Sequence, residues 1–188
     1  MNLQPLFSLC RECVAALSLL SSMADRGHAD TLSELSECQR RACSALADLH
    51  AELFRVFIPP LPRAEMGHLG ETLRDVTGAV FAAAPLIRRS PACLSQRKEE
   101  LLGLCRMGDL LEEAMSTLPR FARGKQPPAP DTFRFYAEQN KVRAIHNISV
   151  LHAERSLSDR ALNERLCDVD HTLSRAYQSL LSLMLQSV

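Results

Sequence analysis

Two short motifs place a carboxylate and an imidazole three residues apart, a spacing that brings both side chains to one face of a helix. Glu65 and His68 form the first motif, and Asp168 and His171 form the second. Di-iron carboxylate bundles use a Glu-x-x-His pair from each of two helices plus a glutamate from each of two others. The second motif has Asp in place of Glu, so these four residues are weak metal-ligand candidates beside the simpler interpretation of solvated polar faces.

Cys10 and Cys13 form a Cys-x-x-Cys pair. A redox pair requires a thioredoxin-like βαβ setting, and structural zinc requires two more ligands at a comparable spacing. Because the sequence offers neither, we expect both cysteines to be small side chains on or beside a buried helical face. The seven cysteines are an odd number scattered through helical patterns. They favour reduced thiols and a cytoplasmic protein over a disulfide framework.

The sequence carries no recognisable catalytic motif. It contains no Gly-rich phosphate loop, no nucleophile elbow and no His-Glu-x-x-His zinc motif. We therefore expect no enzymatic activity and no cofactor. The most basic grouping joins Arg88 and Arg89 with Arg97 and Lys98, and two acidic residues follow directly. This mixture of charges predicts a solvated surface, with anion docking as the other interpretation.

The charge balance excludes several classes of partner. The 22 basic and 22 acidic side chains cancel, so no overall field attracts nucleic acid or an anionic membrane. Arg11 and Glu12 interrupt the apolar stretch near the amino terminus, which argues against a signal sequence. No uninterrupted apolar run approaches the roughly 20 residues that cross a bilayer. We predict no nucleic-acid binding and no membrane insertion.

Apolar residues recur at steps of three and four along most of the chain, which predicts an all-α protein of six long helices with no strand. We expect Gly27 to end the first helix. Thr31 and Glu34 form a capping box for the second helix, with Asp30 as a rival cap. The prolines at 59–62 separate the second helix from the third.

Prolines and capping residues also mark the later boundaries. They predict a kink at Pro85 and a fourth helix that starts at Ser90 and Pro91, with its last turn bent by Pro119. A linker is expected over 124–130. A fifth helix should run from Asp131 to about His152, and a sixth should start at Ser156 or Ser158. The whole chain is expected to be one domain, residues 1–188. It consists of two consecutive three-helix halves, at about 1–90 and 91–188.

The two halves resemble each other. Asp30 and Glu37 match Asp131 and Glu138 at one constant offset, and the segments 73–76 and 166–169 match at a shorter offset. A missing proline-rich connection in the second half explains the change of offset. Matches at constant spacing favour a duplicated three-helix unit, although helical periodicity also produces such matches by chance.

One stretch resembles a known family in register and without a gap. Its residues are Phe57-Ile58-Pro59-Pro60-Leu61-Pro62-Arg63-Ala64-Glu65-Met66, continuing to Leu73-Arg74-Asp75-Val76. It is similar to the hallmark segment of the PhoU-like phosphate transport regulators of the DUF47 type. In those proteins a phenylalanine-isoleucine-threonine-proline segment leads into a helix with a leucine-aspartate-aspartate-valine core. The resemblance implies two three-helix bundles covering essentially the whole chain.

The chain departs from this family at the metal ligands that the resemblance implies. The family's acidic ligands on the second helix would fall on Gln39, Arg41 and Cys43, none of which is acidic. Arg74 replaces the first of the paired aspartates, so Asp75 and its counterpart Asp168 lack partners. Because hard metal ions require carboxylate oxygens, we expect this chain to have lost the metal cluster.

The resemblance implies a non-enzymatic regulatory or accessory protein linked to inorganic phosphate transport. Its partner would be a membrane phosphate transporter or a signalling protein, bound through a helical face. Two alternatives stay open: a metal-binding bundle of the ferritin-like or di-iron type, and a generic helical adaptor. The sequence also leaves open whether the chain forms a homodimer.

Overall fold

Helices account for nearly all of the regular structure. The computed structural model describes residues 2–23, 29–57, 59–89, 94–123, 130–152 and 157–186, and none of these residues lies in a strand. The helices are α1 Gln4–Ser22, α2 Ala29–Arg55, α3 Arg63–Arg89, α4 Leu94–Met115, α5 Leu118–Phe121, α6 Thr132–His152 and α7 Leu157–Leu185. The prediction of an all-α fold with six long helices is confirmed, and α5 is a short addition to it.

Several helix boundaries have local causes that the sequence predicted. α6 begins at Thr132, directly after Asp131, whose carboxylate Oδ1 accepts the backbone N–H of Arg134 at 3.0 Å. This bond satisfies one of the backbone donors that a helix leaves free in its first turn. α3 begins at Arg63, after the prolines at 59–62, and α7 begins at Leu157, between its two predicted starting residues.

Other boundaries differ from the prediction. α2 begins at Ala29, so Asp30 and Thr31 lie inside its first turn and do not precede it as caps. α4 ends at Met115, and Pro119 lies in the first turn of α5. Proline is tolerated there because a first-turn N–H has no intrahelical acceptor to lose. Helix α3 includes Pro85 and continues to Arg89, and the kink expected at this proline stays a prediction. The signals predicted at Gly27, Ser90–Pro91 and 124–129 lie outside the described residues.

The long helices share one core, and we refer to α1, α2 and α3 as the first group and to α4, α6 and α7 as the second. α1, α2 and α3 contact one another, as do α4, α6 and α7, and the most extensive helix pair in the fold is α3 with α7. These two run antiparallel, because Glu65 near the start of α3 accepts hydrogen bonds from Ser182 and Gln186 at the end of α7. α1 and α4 form the second contact between the groups. Buried apolar residues from all six long helices form a continuous cluster.

α1 is the one described helix whose length and apolar composition would allow it to cross a membrane. Its side chains Leu6, Leu9, Cys13 and Leu20 are at most 1% exposed. The helix packs against α2, α3 and α4. Core packing therefore accounts for the apolar composition of α1, which by itself does not indicate a membrane span.

Candidate functional site

The four residues of the two predicted Glu/Asp-x-x-His motifs lie apart. Glu65 bonds to Ser182 at the end of α7, whereas Asp168 lies on the same helix 14 residues earlier. At 1.5 Å per residue this places the two carboxylates about 21 Å apart along the axis. His68 and His171 are both exposed. Within the described ranges, no three His, Cys, Asp or Glu side chains lie close enough together to hold a metal ion.

The remaining candidate ligands are engaged in ion pairs. Asp75 pairs with Arg74 at 2.9 Å, and Asp168 pairs with Arg165 at 3.1 Å, in both cases at the surface. At the position where the resemblance would place an acidic metal ligand, Arg41 donates two 2.8 Å hydrogen bonds to Glu12. These hydrogen bonds raise the pKa of Arg41 above its ordinary value. A permanent guanidinium here repels a cation, so these residues do not fit a metal cluster.

Cys10 and Cys13 are both buried and both free thiols, which confirms that they are small core side chains. Burial raises the pKa of Cys10 to about 12, with a further contribution from the charge of Glu112. Burial likewise raises the pKa of Cys13 well above its ordinary value. Both sulfurs therefore stay protonated at neutral pH and are poor nucleophiles and poor metal ligands.

The basic grouping near the start of α4 does not lie entirely at the surface. Arg89 and Lys98 are exposed, as predicted. Arg97, however, is only 2% exposed and Glu100 only 1%, so the surface prediction is wrong for Arg97. The two side chains lie one turn apart on α4 and form an ion pair of 2.7 Å. A buried pair of this kind is held by α4 packing against α6 and α7, not by its local sequence.

Glu100 also reaches across to the next helix. Its Oε2 accepts from Arg97 of α4 at 2.7 Å, and its Oε1 lies 2.7 Å from Nδ1 of His146 on α6. The imidazole is mostly buried. Both carboxylate oxygens therefore have a partner, as a charge removed from water requires.

A second buried carboxylate lies at the α6–α7 contact. Oδ1 of Asp170 accepts from Nε2 of Gln139 at 3.0 Å, and Oδ2 accepts from Nε of Arg143 at 2.9 Å. Gln139 also bonds to Ser174, one turn further along α7. Asp168 and His171, the two motif residues that flank Asp170, are exposed as the solvated-face interpretation predicts, whereas Asp170 itself is 4% exposed. We call Arg97, Glu100, His146, Gln139, Arg143, Asp170 and Ser174 the polar cluster.

The polar cluster borders a cleft with a volume of about 180 Å³ between α4, α6 and α7. Its lining consists of Glu100, Val142, Arg143, His146, Asn147, Leu166, Cys167, Asp170 and His171. Burial, together with the charge of Asp170, raises the pKa of Cys167. This cysteine is therefore a poor nucleophile despite the imidazole of His171 at 3.9 Å. The arrangement suits binding of a small polar molecule better than covalent chemistry.

A second feature lies at the other group of helices, where α2 connects to α3. Phe54, in the last turn of α2, is 84% exposed, and Phe57, just beyond it, is 93% exposed. The same connection is fixed by Leu61, which is buried, and by Arg63, which donates to the backbone oxygen of Val56 at 2.5 Å. We call Phe54 and Phe57 the aromatic surface.

Sequence reasoning identified neither feature as a site. The aromatic surface falls within and beside the segment that carries the family resemblance, but periodicity gives no sign that its two rings face solvent. The polar cluster did leave a signal on α6: Gln139 and His146 lie on the same helical face as Phe135 and Val142, where a core-facing helix would carry apolar side chains. No known family model matches this chain, and no curated protein matches it either.

Proposed function

We propose that this protein is a non-enzymatic regulatory or accessory protein of the PhoU-like type, linked to inorganic phosphate transport. It acts by docking the aromatic surface on a membrane transporter or a signalling partner. The phosphate link is supported by the resemblance of the segment 57–76. The order of six long helices in two groups of three agrees with what that resemblance implies.

The observation that carries the docking role is the exposure of Phe54 and Phe57. Burying a phenylalanine ring stabilises a protein by about 2 kcal/mol, so two rings held in water within three residues forgo a substantial gain. Single exposed apolar residues are common, but neighbouring ones are typical of interaction surfaces. Phenylalanine is also enriched where proteins contact each other.

The anchoring of this connection strengthens the proposal. Leu61 is inserted in the core, and Arg63 holds the carbonyl of Val56. These contacts anchor Val56, beside Phe57, and Leu61 before a partner arrives. A surface that is already ordered loses less conformational entropy on binding, so more of the contact energy appears as affinity.

Phosphate uptake in cells that lack the gene tests the proposal. We expect deletion to change the uptake of radiolabelled phosphate and the wild-type gene to restore it. The double variant Phe54→Ser/Phe57→Ser should fail to restore uptake while keeping its helical circular dichroism, because neither ring contributes to the core. Phe133→Ser is the matched control, since Phe133 is 81% exposed but lies on α6, and it should restore uptake fully.

Two results would contradict the proposal, one its link to phosphate and the other its docking surface. Unchanged uptake after deletion, in both phosphate-limited and phosphate-replete medium, would remove the phosphate link and favour a generic helical adaptor. Full restoration by the double variant would retain the link and show that docking uses another surface.

A further inference from the structure

The cleft between α4, α6 and α7 is lined by two buried carboxylates that already accept hydrogen bonds from other side chains of the protein. Glu100 bonds through one oxygen to Arg97 and through the other to His146. Both oxygens of Asp170 likewise accept hydrogen bonds from α6 side chains. The four carboxylate oxygens therefore already have partners within the protein.

The cleft's donors, by contrast, have unused capacity. Arg143 bonds to Asp170 through Nε, and its two terminal nitrogens make no hydrogen bond to the described residues. Asn147 and His171 add polar groups to the lining. The terminal nitrogens of a guanidinium only donate, so a molecule bound beside Arg143 must supply acceptor oxygens.

The volume of the cleft and the chemistry of its walls further restrict the class of molecule that it can bind. The volume of about 180 Å³ is below the roughly 300–1,000 Å³ of pockets that hold drug-sized ligands. Val142 and Leu166 contribute apolar walls to the same cleft. The occupant is therefore a molecule of few heavy atoms with an apolar portion beside its acceptor oxygens.

From this juxtaposition we infer that the cleft binds a small monocarboxylate of two to four carbons. Its carboxylate oxygens accept hydrogen bonds from the terminal nitrogens of Arg143. Its short alkyl group packs against Val142 and Leu166. A planar carboxylate matches the forked donors of a guanidinium.

A monocarboxylate also fits the charges of the cleft better than phosphate does. Glu100 and Asp170 both line it, and a dianion placed beside two carboxylates suffers more repulsion than a monoanion. Phosphate also has no apolar portion for the walls. The site lies in the second group of helices and shares no residue with the aromatic surface, so it is independent of the proposed docking role.

Titration of the isotopically labelled protein with sodium propionate, followed by backbone amide shifts, tests the inference. We expect saturable shifts on α6 and α7 with a dissociation constant of roughly 1 mM, given the few heavy atoms of the ligand. Propionamide, which has the same size without the charge, should bind about tenfold more weakly. Inorganic phosphate should bind more weakly than propionate.

Matched variants on α6 locate the site. Arg143→Gln keeps a donor for Asp170 but removes the charge, and it should weaken propionate binding about tenfold. Lys141→Gln removes the same charge two residues away, from a side chain that does not line the cleft. It should change binding by less than about twofold, since exposed charges are screened.

Three outcomes would overturn the inference. They are the absence of saturable shifts on α6 and α7, phosphate binding as tight as propionate binding, and equal effects of Arg143→Gln and Lys141→Gln. Unchanged amide shifts outside α6 and α7 in each variant show that it is folded, so loss of binding reports on the site itself.

Discussion

The middle helices of the two groups, α2 and α6, carry different side chains at matching positions. The positions are related by the same offset that matches Asp30 to Asp131. At three of them α2 has small apolar residues where α6 has polar ones: Cys38, Ala42 and Ala45 against Gln139, Arg143 and His146. The first group has an apolar interior, and the second has the polar cluster and its cleft.

The contacts between helices also differ between the two groups. α1, α2 and α3 contact one another extensively, whereas α7 contacts α3 of the other group far more than it contacts α4 or α6. Buried ion pairs often contribute less to stability than apolar residues of the same volume. Both groups contribute apolar residues to the core, and the second group in addition retains charges that core packing alone does not require.

The largest expected effect comes from breaking the buried pair in the second group. Arg97→Leu leaves the Glu100 carboxylate without its ion-pair partner, which costs about 3–5 kcal/mol of unfolding free energy. The double variant Arg97→Leu/Glu100→Leu should recover most of this loss, because no buried charge remains. Urea unfolding measures both.

Arg165 and Asp168 supply the control, because they form an ion pair with the same three-residue spacing on the surface of α7. Arg165→Leu should cost less than about 1 kcal/mol. Equal losses for Arg97→Leu and Arg165→Leu would show that the second group has no charge-dependent interior.

We expect an effect of intermediate size when one closely packed glycine in each group is replaced by alanine. A Cβ on Gly70 would lie 2.5 Å from Leu49 Cδ2, and a Cβ on Gly103 would lie 2.5 Å from Val142 Cγ2. Overpacking costs about 1–3 kcal/mol, and replacing helical glycine by alanine returns about 1 kcal/mol. We expect a net loss for Gly70→Ala and a smaller one for Gly103→Ala, because Val142 borders the cleft and has room to move. Urea unfolding that found a larger loss at Gly103 would contradict this.

The smallest effect depends on pH. Burial acts to raise the pKa of Glu138, but hydrogen bonds from Arg106 and Lys141 outweigh it and lower the pKa below its ordinary value of 4.5. A lowered pKa stabilises the fold above pH 4.5, and this contribution disappears as the pH falls through the folded-state pKa. Glu138→Gln should cost about 1 kcal/mol at pH 7 and less at acid pH, where the carboxylate becomes protonated.

Glu37 is the matching residue of the first group and is exposed on α2. Thermal unfolding should show little change for Glu37→Gln at either pH. A Glu37→Gln effect as large as that of Glu138→Gln would remove this difference between the groups.

The sequence was sufficient for most of the fold, because helix periodicity and caps are local. Asp131 was expected to begin a helix, and its carboxylate does cap α6. The end of α4 was missed because Leu118 continues the apolar stripe of Leu111 and Met115 into α5. A turn of two residues therefore leaves no gap in the apolar pattern when the next helix buries the same face.

The site was harder to predict because it depends on contacts between distant segments. An Arg-x-x-Glu pair such as Arg97 and Glu100 is typical of exposed helical surfaces. Its burial follows from the packing of α6, and the imidazole that completes it lies 46 residues beyond Glu100. The exposure of Phe57 also depends on tertiary structure, since an apolar residue beside prolines is as readily buried as exposed.

The pairing of α3 with α7 has a consequence for how the protein is made. Glu65 and Ser182, which meet at one end of this pair, are separated by 117 residues. At a synthesis rate of about 5–20 residues per second, α3 waits roughly 6–23 s for the partner that covers its apolar face. During that interval the side of α3 that packs against α7 in the folded protein is uncovered, and apolar surface exposed in this way is prone to aggregate.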